Sequence, residues 1–248
     1  MLPIAFGEAT KTVSVVQDGT KAYRFAVKWG EETDTDDAEG RVVVRSDIRP
    51  SASEIAAIAP RFVGAISQTP PTYSAIKIGG ERAYDLAREG AEFEIAARDI
   101  VVHRLDLVAS EPDQAIFEAE CGKGAYVRAI ARDLGRALGC RGHVVLLRRT
   151  RVGPFWADRG SGLDVLRSSP EARATALSSI EAGLSELTRV ATDRSGAATL
   201  RRGQKLLLRG SAAPPEGPAY TVCLGIPVAV GVVDGGYFVS TRVFNISN

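Results

Sequence analysis

The clearest alternation of apolar and polar side chains lies in Ala22–Trp29. Four apolar residues share one face, namely Tyr23, Phe25, Val27 and Trp29. Because successive side chains of a strand point to opposite faces of a sheet, this spacing predicts a half-buried strand. Similar alternation predicts further strands at Ile100–Val108 and Ala115–Cys121, and shorter ones at Arg41–Arg45 and Val144–Leu147.

Helical spacing of apolar residues is strongest from Tyr126 to Leu138. The positions that would face the core are Val127, Ile130, Ala131, Leu134 and Leu138. Three arginines four residues apart would then line one exposed edge of this helix: Arg128, Arg132 and Arg136.

Other signals mark the ends of shorter helices. Ser51 and Glu54 have the spacing of a capping box, and Pro60 should end or kink the helix that follows. We also predict a short helix at Glu81–Glu89, a helical segment at Pro170–Leu187, and a proline-stiffened loop at Gln68–Ser74.

Interleaved strands and helices predict an α+β fold, with a mixed or antiparallel sheet flanked by helices. Past Leu187 come short β-type runs and a Pro/Gly-rich patch at Ala212–Pro218. We therefore expect a larger domain at 1–186 and a small β-rich domain at 187–248. The apolar segment Leu2–Phe6 is expected to be buried.

Composition excludes several classes of protein. The chain has 248 residues, of which 45% are hydrophobic and 25% charged, as in ordinary globular domains. No apolar run approaches the roughly eighteen residues of a membrane span, and the N-terminus lacks the pattern of a secretory signal. Three scattered cysteines fit reduced thiols better than disulfides. These features predict a cytoplasmic protein.

Positive charge is concentrated in Cys121–Arg151. This stretch has eight Lys or Arg against one acid, Asp133, whereas the whole chain has a formal net charge of +1. Such a local field most often binds a phosphate backbone. Tyr126 lies inside it, as a residue that stacks on a nucleobase would. The alternative is a solvated helix face paired with acids, which the lack of nearby acids disfavours.

Other chemistry is poorly supported. Gly122 and Gly124 suggest a dinucleotide-binding turn, but Val127 replaces the third glycine, so a glycine turn into the helix is favoured. The acidic segment Glu31–Gly40 resembles a calcium loop, but Ala38 stands where a ligand is needed, so a solvated acidic turn is expected. His103 and His143 lack cysteines at zinc spacing. No signature supports Ser/His/Asp or Cys/His catalysis.

Taken in order, several segments resemble the bacterial tRNA pseudouridine synthase B (TruB) family, which isomerises the uridine at position 55 in the TΨC loop of tRNA. The matching segments are Leu2–Lys11, Lys21–Tyr23, Thr33–Gly40, Phe62–Gly64, Gln68–Lys77, Gly80–Tyr84, Gly122–Arg128 and Leu147–Phe155. The part from about Leu187 resembles, more loosely, the small RNA-binding PUA-type domain of this family.

The resemblance implies roles for particular residues. The target uridine must be flipped out of the folded RNA before chemistry. Tyr23 would stack on the flipped base, Tyr126 and Leu147 would complete the pocket wall, and Arg128 would pair with the catalytic carboxylate and keep it ionised.

The same resemblance implies RNA contacts outside the pocket. A segment of about 68–90 would grip the RNA arm, with Lys77 and Arg82 on phosphates, and Lys123 would also bind substrate. No cofactor or metal is implied. The expected partner is the TΨC stem-loop of tRNA, bound by a monomer.

One departure concerns the catalytic carboxylate. In the family, the nucleophilic Asp lies in a Gly-x-x-Asp-Pro type motif just upstream of the Leu-Pro-Ile element, which would fall before Met1. The aspartates in the acidic turn and Asp133 in the helix do not match it. We therefore expect an N-terminally truncated chain that is inactive on tRNA and poorly stable. The alternative is a non-catalytic RNA-binding or RNA-folding protein derived from this family.

Overall fold

The computed structural model describes residues 1–208 and 214–246. The chain forms two compact units. One is Thr20–Arg151, and the other combines Met1–Gly19 with Val152–Asn248. The predicted boundary near Leu187 is not tested by this division and stays a prediction.

The strands are, in chain order, β1 (Lys21–Trp29), β2 (Glu31–Thr33), β3 (Val42–Arg45), β4 (Gly64–Gln68), β5 (Lys77–Ile78), β6 (Glu81–Arg82), β7 (Arg98–Glu111), β8 (Gln114–Cys121), β9 (Gly142–Val152), β10 (Phe155–Trp156), β11 (Thr188–Ala191), β12 (Leu206–Leu207), β13 (Gly217–Cys223), β14 (Ile226–Asp234) and β15 (Tyr237–Val243). The α-helices are α1 (Val13–Asp18), α2 (Ala52–Ile58), α3 (Ala83–Arg88), α4 (Val127–Ala137), α5 (Leu163–Ser168), α6 (Pro170–Ala176) and α7 (Arg194–Arg201). Short 3-10 helices lie at Gly7–Thr12, Ala59–Phe62, Ala157–Arg159 and Ile180–Leu184.

The unit Thr20–Arg151 is built on a sheet with the strand order β9-β1-β8-β7-β4. Strand β8 pairs antiparallel with both β1 and β7, and β4 pairs antiparallel with β7. The core joins the sheet to α2 and α4. In it, the rings of Phe25 and Phe117 stack with centroids 5.5 Å apart, and Trp29 meets Phe117 edge-on. The predicted α+β class with antiparallel pairing is confirmed.

Several local predictions are confirmed. Ser51 and Glu54 form the capping box that begins α2, and a 3-10 turn containing Pro60 follows this helix. The strand predicted at Ala22–Trp29 is β1, and its polar residues Arg24 and Lys28 are exposed. Gly124 adopts φ +88° in the turn before α4. Only a residue tolerant of positive φ fits there, so the glycine pair serves the turn.

The second unit contains a sheet with the order β11-β13-β14-β15-β12. Strand β11 pairs parallel with β13, and the other pairings are antiparallel. Helix α7 covers this sheet through Ala197 and Leu200. The helical prediction at Pro170–Leu187 holds for α6 and the short 3-10 helix, with extended residues between them. The Pro/Gly-rich patch begins outside the described residues, at 212 and 213, and its Gly217 opens β13.

The predicted burial of Leu2–Phe6 is wrong. Leu2, Ile4 and Phe6 are about 70% exposed. The segment belongs to none of the described helices or strands, so no sheet or helix face covers these side chains. In the part of the chain that the structure describes, no helix is both long and apolar enough to cross a membrane.

Candidate active site

A cavity of about 640 Å³ lies in the unit Thr20–Arg151. Four segments form its wall: the acidic turn after β2, the loop that follows β4, helix α3, and the start of α4. The residues that line it are Thr35, Asp37, Glu39, Tyr73, Ser74, Ala75, Tyr84, Arg88, Tyr126 and Arg128. Its volume falls in the range of small-ligand sites, and its three tyrosines supply flat surfaces on which a base can stack.

Arg128 connects two walls of this cavity, the acidic turn and the loop after β4, by hydrogen bonds. Its Nη1 donates to Oδ2 of Asp37 at 2.8 Å and to the backbone carbonyl of Thr35 at 3.0 Å. Its Nη2 donates to the backbone carbonyl of Tyr73 at 2.8 Å. Because one guanidinium holds the acidic turn and the loop at once, it fixes the distance between these two walls.

Tyr126 is held by a buried glutamine. Its backbone N–H donates to Oε1 of Gln68 at 2.9 Å, and its carbonyl accepts from Nε2 of the same side chain at 3.2 Å. Gln68 is 2% exposed. This pair of bonds sets the backbone position of Tyr126 immediately before α4.

The prediction that the α4 arginines line an exposed edge is wrong for Arg132 and holds for Arg136, whose side chain is 49% exposed. The Arg132 side chain is only 8% exposed, and it donates to Asp36 at 3.0 Å and to the carbonyl of Thr69 at 2.7 Å. Arg136 binds the buried carboxylate of Glu32 through Nε and Nη2. Strand β2 and the turn after it thus supply acids that the sequence around α4 does not.

The expected solvated acidic turn is corrected for the same reason. Asp36 is buried at 5% exposure, and Asp37 faces Arg128. The backbone of Asp36 also accepts from the N–H of Val144 in β9 at 3.1 Å. The turn is therefore packed between α4 and β9, where its carboxylates neutralise the positive charge of the α4 arginines.

Burial dominates the electrostatics of this cluster. Loss of water raises the pKa of Asp36 to about 6, although the adjacent Arg132 opposes the shift. Burial alone would raise the pKa of Glu32 too. The hydrogen bonds and charge of Arg136, with help from Arg141, outweigh it and hold that pKa below its ordinary value.

The segment Gln68–Arg88 carries cations without acidic partners among the described residues, and of these Arg88 lines the cavity. The guanidinium groups of Arg82 and Arg88 lie 5.8 and 5.5 Å from the centroid of the Tyr84 ring. Lys77 is exposed in β5, opposite Arg82 in the β5–β6 hairpin. Across residues 1–208 and 214–246, Lys77, Arg82 and Arg88 form no ion pair.

The structure brings Tyr126 and Arg128 together but does not bring every predicted residue to the cavity. Tyr23 is half-buried on β1, where burial raises its pKa and Arg149 offers it a hydrogen bond. Leu147 lines a separate cleft of about 260 Å³ beside Arg24. Lys123 is exposed in the turn before α4. Within the described residues, no group of three or more His, Cys, Asp or Glu side chains is placed to hold a metal ion.

Sequence reasoning missed eight residues of the cavity wall as site residues: Thr35, Asp37, Glu39, Tyr73, Ser74, Ala75, Tyr84 and Arg88. All of them except Arg88 lie in segments that carried the family resemblance. The matching family segments therefore indicated most of the cavity wall, whereas charge and helical spacing indicated only α4.

Comparisons with known protein families identify the family of this chain. The family model for the N-terminal domain of TruB family pseudouridylate synthases matches residues 1–127, and that for the tRNA pseudouridylate synthase B C-terminal domain matches residues 128–180. The chain therefore belongs to the TruB family of tRNA pseudouridine synthases.

Individual relatives support the assignment over nearly the whole chain. The tRNA pseudouridine synthase B of Bradyrhizobium diazoefficiens is 51% identical, with 99% of this chain and 74% of that protein aligned. The protein of the same name from Agrobacterium fabrum is 50% identical, with 98% and 81% aligned.

Solved structures show the same fold at low sequence identity. The chain superposes on a chain of a Cbf5-Nop10-Gar1 complex with a TM-score of 0.73 at 21% identity, covering 98% of this chain and 71% of the other. A chain of an H/ACA RNP bound to a substrate RNA containing 2'-deoxyuridine gives a TM-score of 0.72 at 18% identity, with the same coverage.

Proposed function

We propose that the cavity lined by Tyr126 and Arg128 receives the flipped uridine of the TΨC loop, at position 55 of tRNA. The observation that carries this proposal is that two residues assigned by the family resemblance line one cavity, beside an Asp–Arg pair and two further tyrosines. A flipped base needs aromatic faces for stacking, and isomerisation needs a carboxylate beside the sugar.

In the reaction we propose, Arg128 orients the carboxylate that attacks or assists at the sugar. The glycosidic bond between C1′ and N1 breaks, the base rotates, and C1′ bonds to C5 instead. C5 then loses its proton to water, and N1 takes up a proton. Tyr126 forms part of the wall that keeps the base in place while it is detached. No cofactor takes part in this scheme.

We further propose that the 248-residue polypeptide binds this RNA without isomerising it. No Gly-x-x-Asp-Pro motif occurs in these 248 residues, and Asp37 belongs to the segment Thr33–Gly40, which matches a different part of the family. Asp37 therefore acts as a residue that holds the Arg128 guanidinium rather than as the nucleophile. This geometry also supports the second candidate function, a tRNA-binding protein that retains the cavity but does not catalyse isomerisation.

The remaining assignments complete the proposal. Tyr23 stacks on the base and Leu147 closes the pocket. Lys77, Arg82 and Lys123 contact the RNA, and the part from 187 to 248 serves as a PUA-like RNA-binding domain. A monomer acting in the cytoplasm is part of the same proposal.

The test combines binding with turnover. A TΨC stem-loop carrying tritium at C5 of the target uridine reports isomerisation by tritium release, and fluorescence anisotropy reports binding. We expect binding without release of tritium. Turnover by this polypeptide would contradict the proposed inactivity, and the absence of binding would contradict the proposed function.

A second arm separates the two candidate functions. A version extended by a Gly-x-x-Asp-Pro segment of the family should gain turnover if the chain is a synthase. Arg128→Ala should then abolish that turnover. In a protein that only binds RNA, the extension would add no turnover, and Arg128→Ala would lower affinity modestly.

A further inference from the structure

Ser74 is a polar residue of the cavity wall whose hydroxyl is unused. It lies between Tyr73 and Ala75 in the wall and is 3% exposed. Its Oγ is buried and has no hydrogen-bond partner among the described residues. Buried hydroxyls are nearly always paired, so an unpaired one beside a ligand cavity needs an explanation.

The backbone around this hydroxyl is fully engaged. The N–H of Ser74 donates to the carbonyl of Thr72 at 3.1 Å, and its own carbonyl accepts from the N–H of Tyr84 at 3.1 Å. The carbonyl of Tyr73 accepts from Arg128. The loop is therefore anchored on both sides of Ser74, while the hydroxyl itself stays unpaired.

We propose that the Ser74 hydroxyl hydrogen bonds to the edge of the pyrimidine that enters the cavity. This inference rests on the proposed function and adds a residue that reads the base. Rotation about the Cα–Cβ bond moves Oγ between staggered positions, and this rotation breaks no hydrogen bond because none is made. A hydroxyl both donates and accepts, so it suits the neutral donors and acceptors of a uracil edge.

The charged groups of the cavity are less suited to this task. Arg128 and Asp37 bind each other. Arg88 stacks over Tyr84, where a phosphate is the natural partner. The tyrosine rings offer faces for stacking, and the Thr35 hydroxyl already donates to Asp37, so the unpaired hydroxyl of Ser74 is suited to contact the base edge.

The test compares Ser74→Ala with Ser51→Ala in the 248-residue polypeptide. Two stem-loops serve as probes, one with the target uridine and one abasic at that position. Removing an unpaired buried hydroxyl does not destabilise a protein, so Ser74→Ala should keep or raise the urea midpoint of the free protein. It should weaken binding of the uridine stem-loop about fivefold, as expected for one lost hydrogen bond, and leave the abasic stem-loop unchanged.

Ser51→Ala should show the reverse pattern, because it removes the cap of α2 at an exposed site. Its urea midpoint should fall while both affinities stay at the wild-type values. This control shows that a serine can affect folding without affecting binding of the base.

Three outcomes would separate the Ser74 inference from the proposed function. If wild type prefers the uridine stem-loop and Ser74→Ala retains that whole preference, the Ser74 inference is wrong and the proposed function stands. If Ser74→Ala lowers the urea midpoint as Ser51→Ala does and leaves the preference intact, the hydroxyl is structural. If wild type does not distinguish the two stem-loops, the proposed function fails and the inference fails with it.

Discussion

The two basic walls, α4 and the segment Gln68–Arg88, each reach the cavity through one arginine, and they differ in what their cations contact. On α4, Arg128 and Arg132 bind carboxylates of the turn after β2, and Arg136 binds Glu32 of β2 itself. On the segment from Gln68 to Arg88, the cations stack on an aromatic ring or face solvent. Charge in the first wall stabilises the fold, and charge in the second remains available for RNA.

This difference shows why a run of basic residues does not by itself locate a phosphate site. The α4 arginines were the strongest charge signal in the sequence, yet their field is compensated in the folded protein. The weaker signal, spread over Lys77, Arg82 and Arg88, marks cations that form no ion pair in the part of the chain that the structure describes.

Arg132→Ala should have the largest effect on stability. It leaves the buried Asp36 without its partner, and loss of one member of a buried pair typically costs about 3–5 kcal/mol. Urea unfolding followed by circular dichroism measures this loss. The matched control is Arg82→Ala on the other wall, which should change the free energy of unfolding by less than about 0.5 kcal/mol. Equal losses for both variants would contradict the contrast.

The second prediction concerns the pH dependence of stability. The raised pKa of Asp36, about 6, means that the folded chain retains this proton between pH 3.8 and 6 while the unfolded chain releases it. The contribution of this group is therefore full below about pH 3.8 and declines as the pH rises to 6, by about 3 kcal/mol at most.

Comparison with Asp36→Asn isolates this contribution from the other carboxyl groups. The free energy of unfolding of wild type relative to the variant should decrease from pH 4 to pH 7. A difference that stays constant over this range, or one that increases, would mean that Arg132 rather than burial controls the carboxyl.

Gln68→Ala should have an intermediate effect. It removes both side-chain bonds to the backbone of Tyr126 and leaves its N–H unpaired, although its carbonyl still accepts from Ile130, at a cost of about 2 kcal/mol. Because Tyr126 then loses its fixed position, stem-loop affinity should fall as well. Gln204→Ala, at an exposed glutamine, should alter neither quantity.

The smallest effect is expected for single cations of the second wall. Arg82→Ala should weaken stem-loop binding by about tenfold at low salt and reduce the slope of log K against log salt by about 1, as for one lost phosphate contact. Arg136→Ala, a half-exposed arginine of α4, should leave that slope unchanged. If the two variants change the salt slope equally, both walls contact phosphate.

Sequence patterns were sufficient for those parts of the fold that depend on nearby residues. Alternation predicted β1 and β8, and helical spacing predicted α4. At Val144–Leu147 the prediction was too short, because basic residues interrupt the apolar pattern of β9 although the strand continues to Val152.

The pairing of the α4 arginines could not be predicted in the same way. The side chains of Arg132 and Asp36 meet across 96 positions of the chain, so only the folded topology brings them together. Likewise, no local pattern showed that Gln68 would hold Tyr126, which lies 58 positions further along.

A photo-crosslink tests most directly whether the target base enters the cavity of Tyr126 rather than the cleft of Leu147. A TΨC stem-loop with 4-thiouridine at the target position is bound to the polypeptide and irradiated, and the adduct is mapped by mass spectrometry after trypsin digestion. We predict adducts on the peptide Gly124–Arg128 or on residues of the Tyr73 loop. Adducts confined to Leu146–Arg148, with the Tyr126 peptide unmodified, would contradict this account.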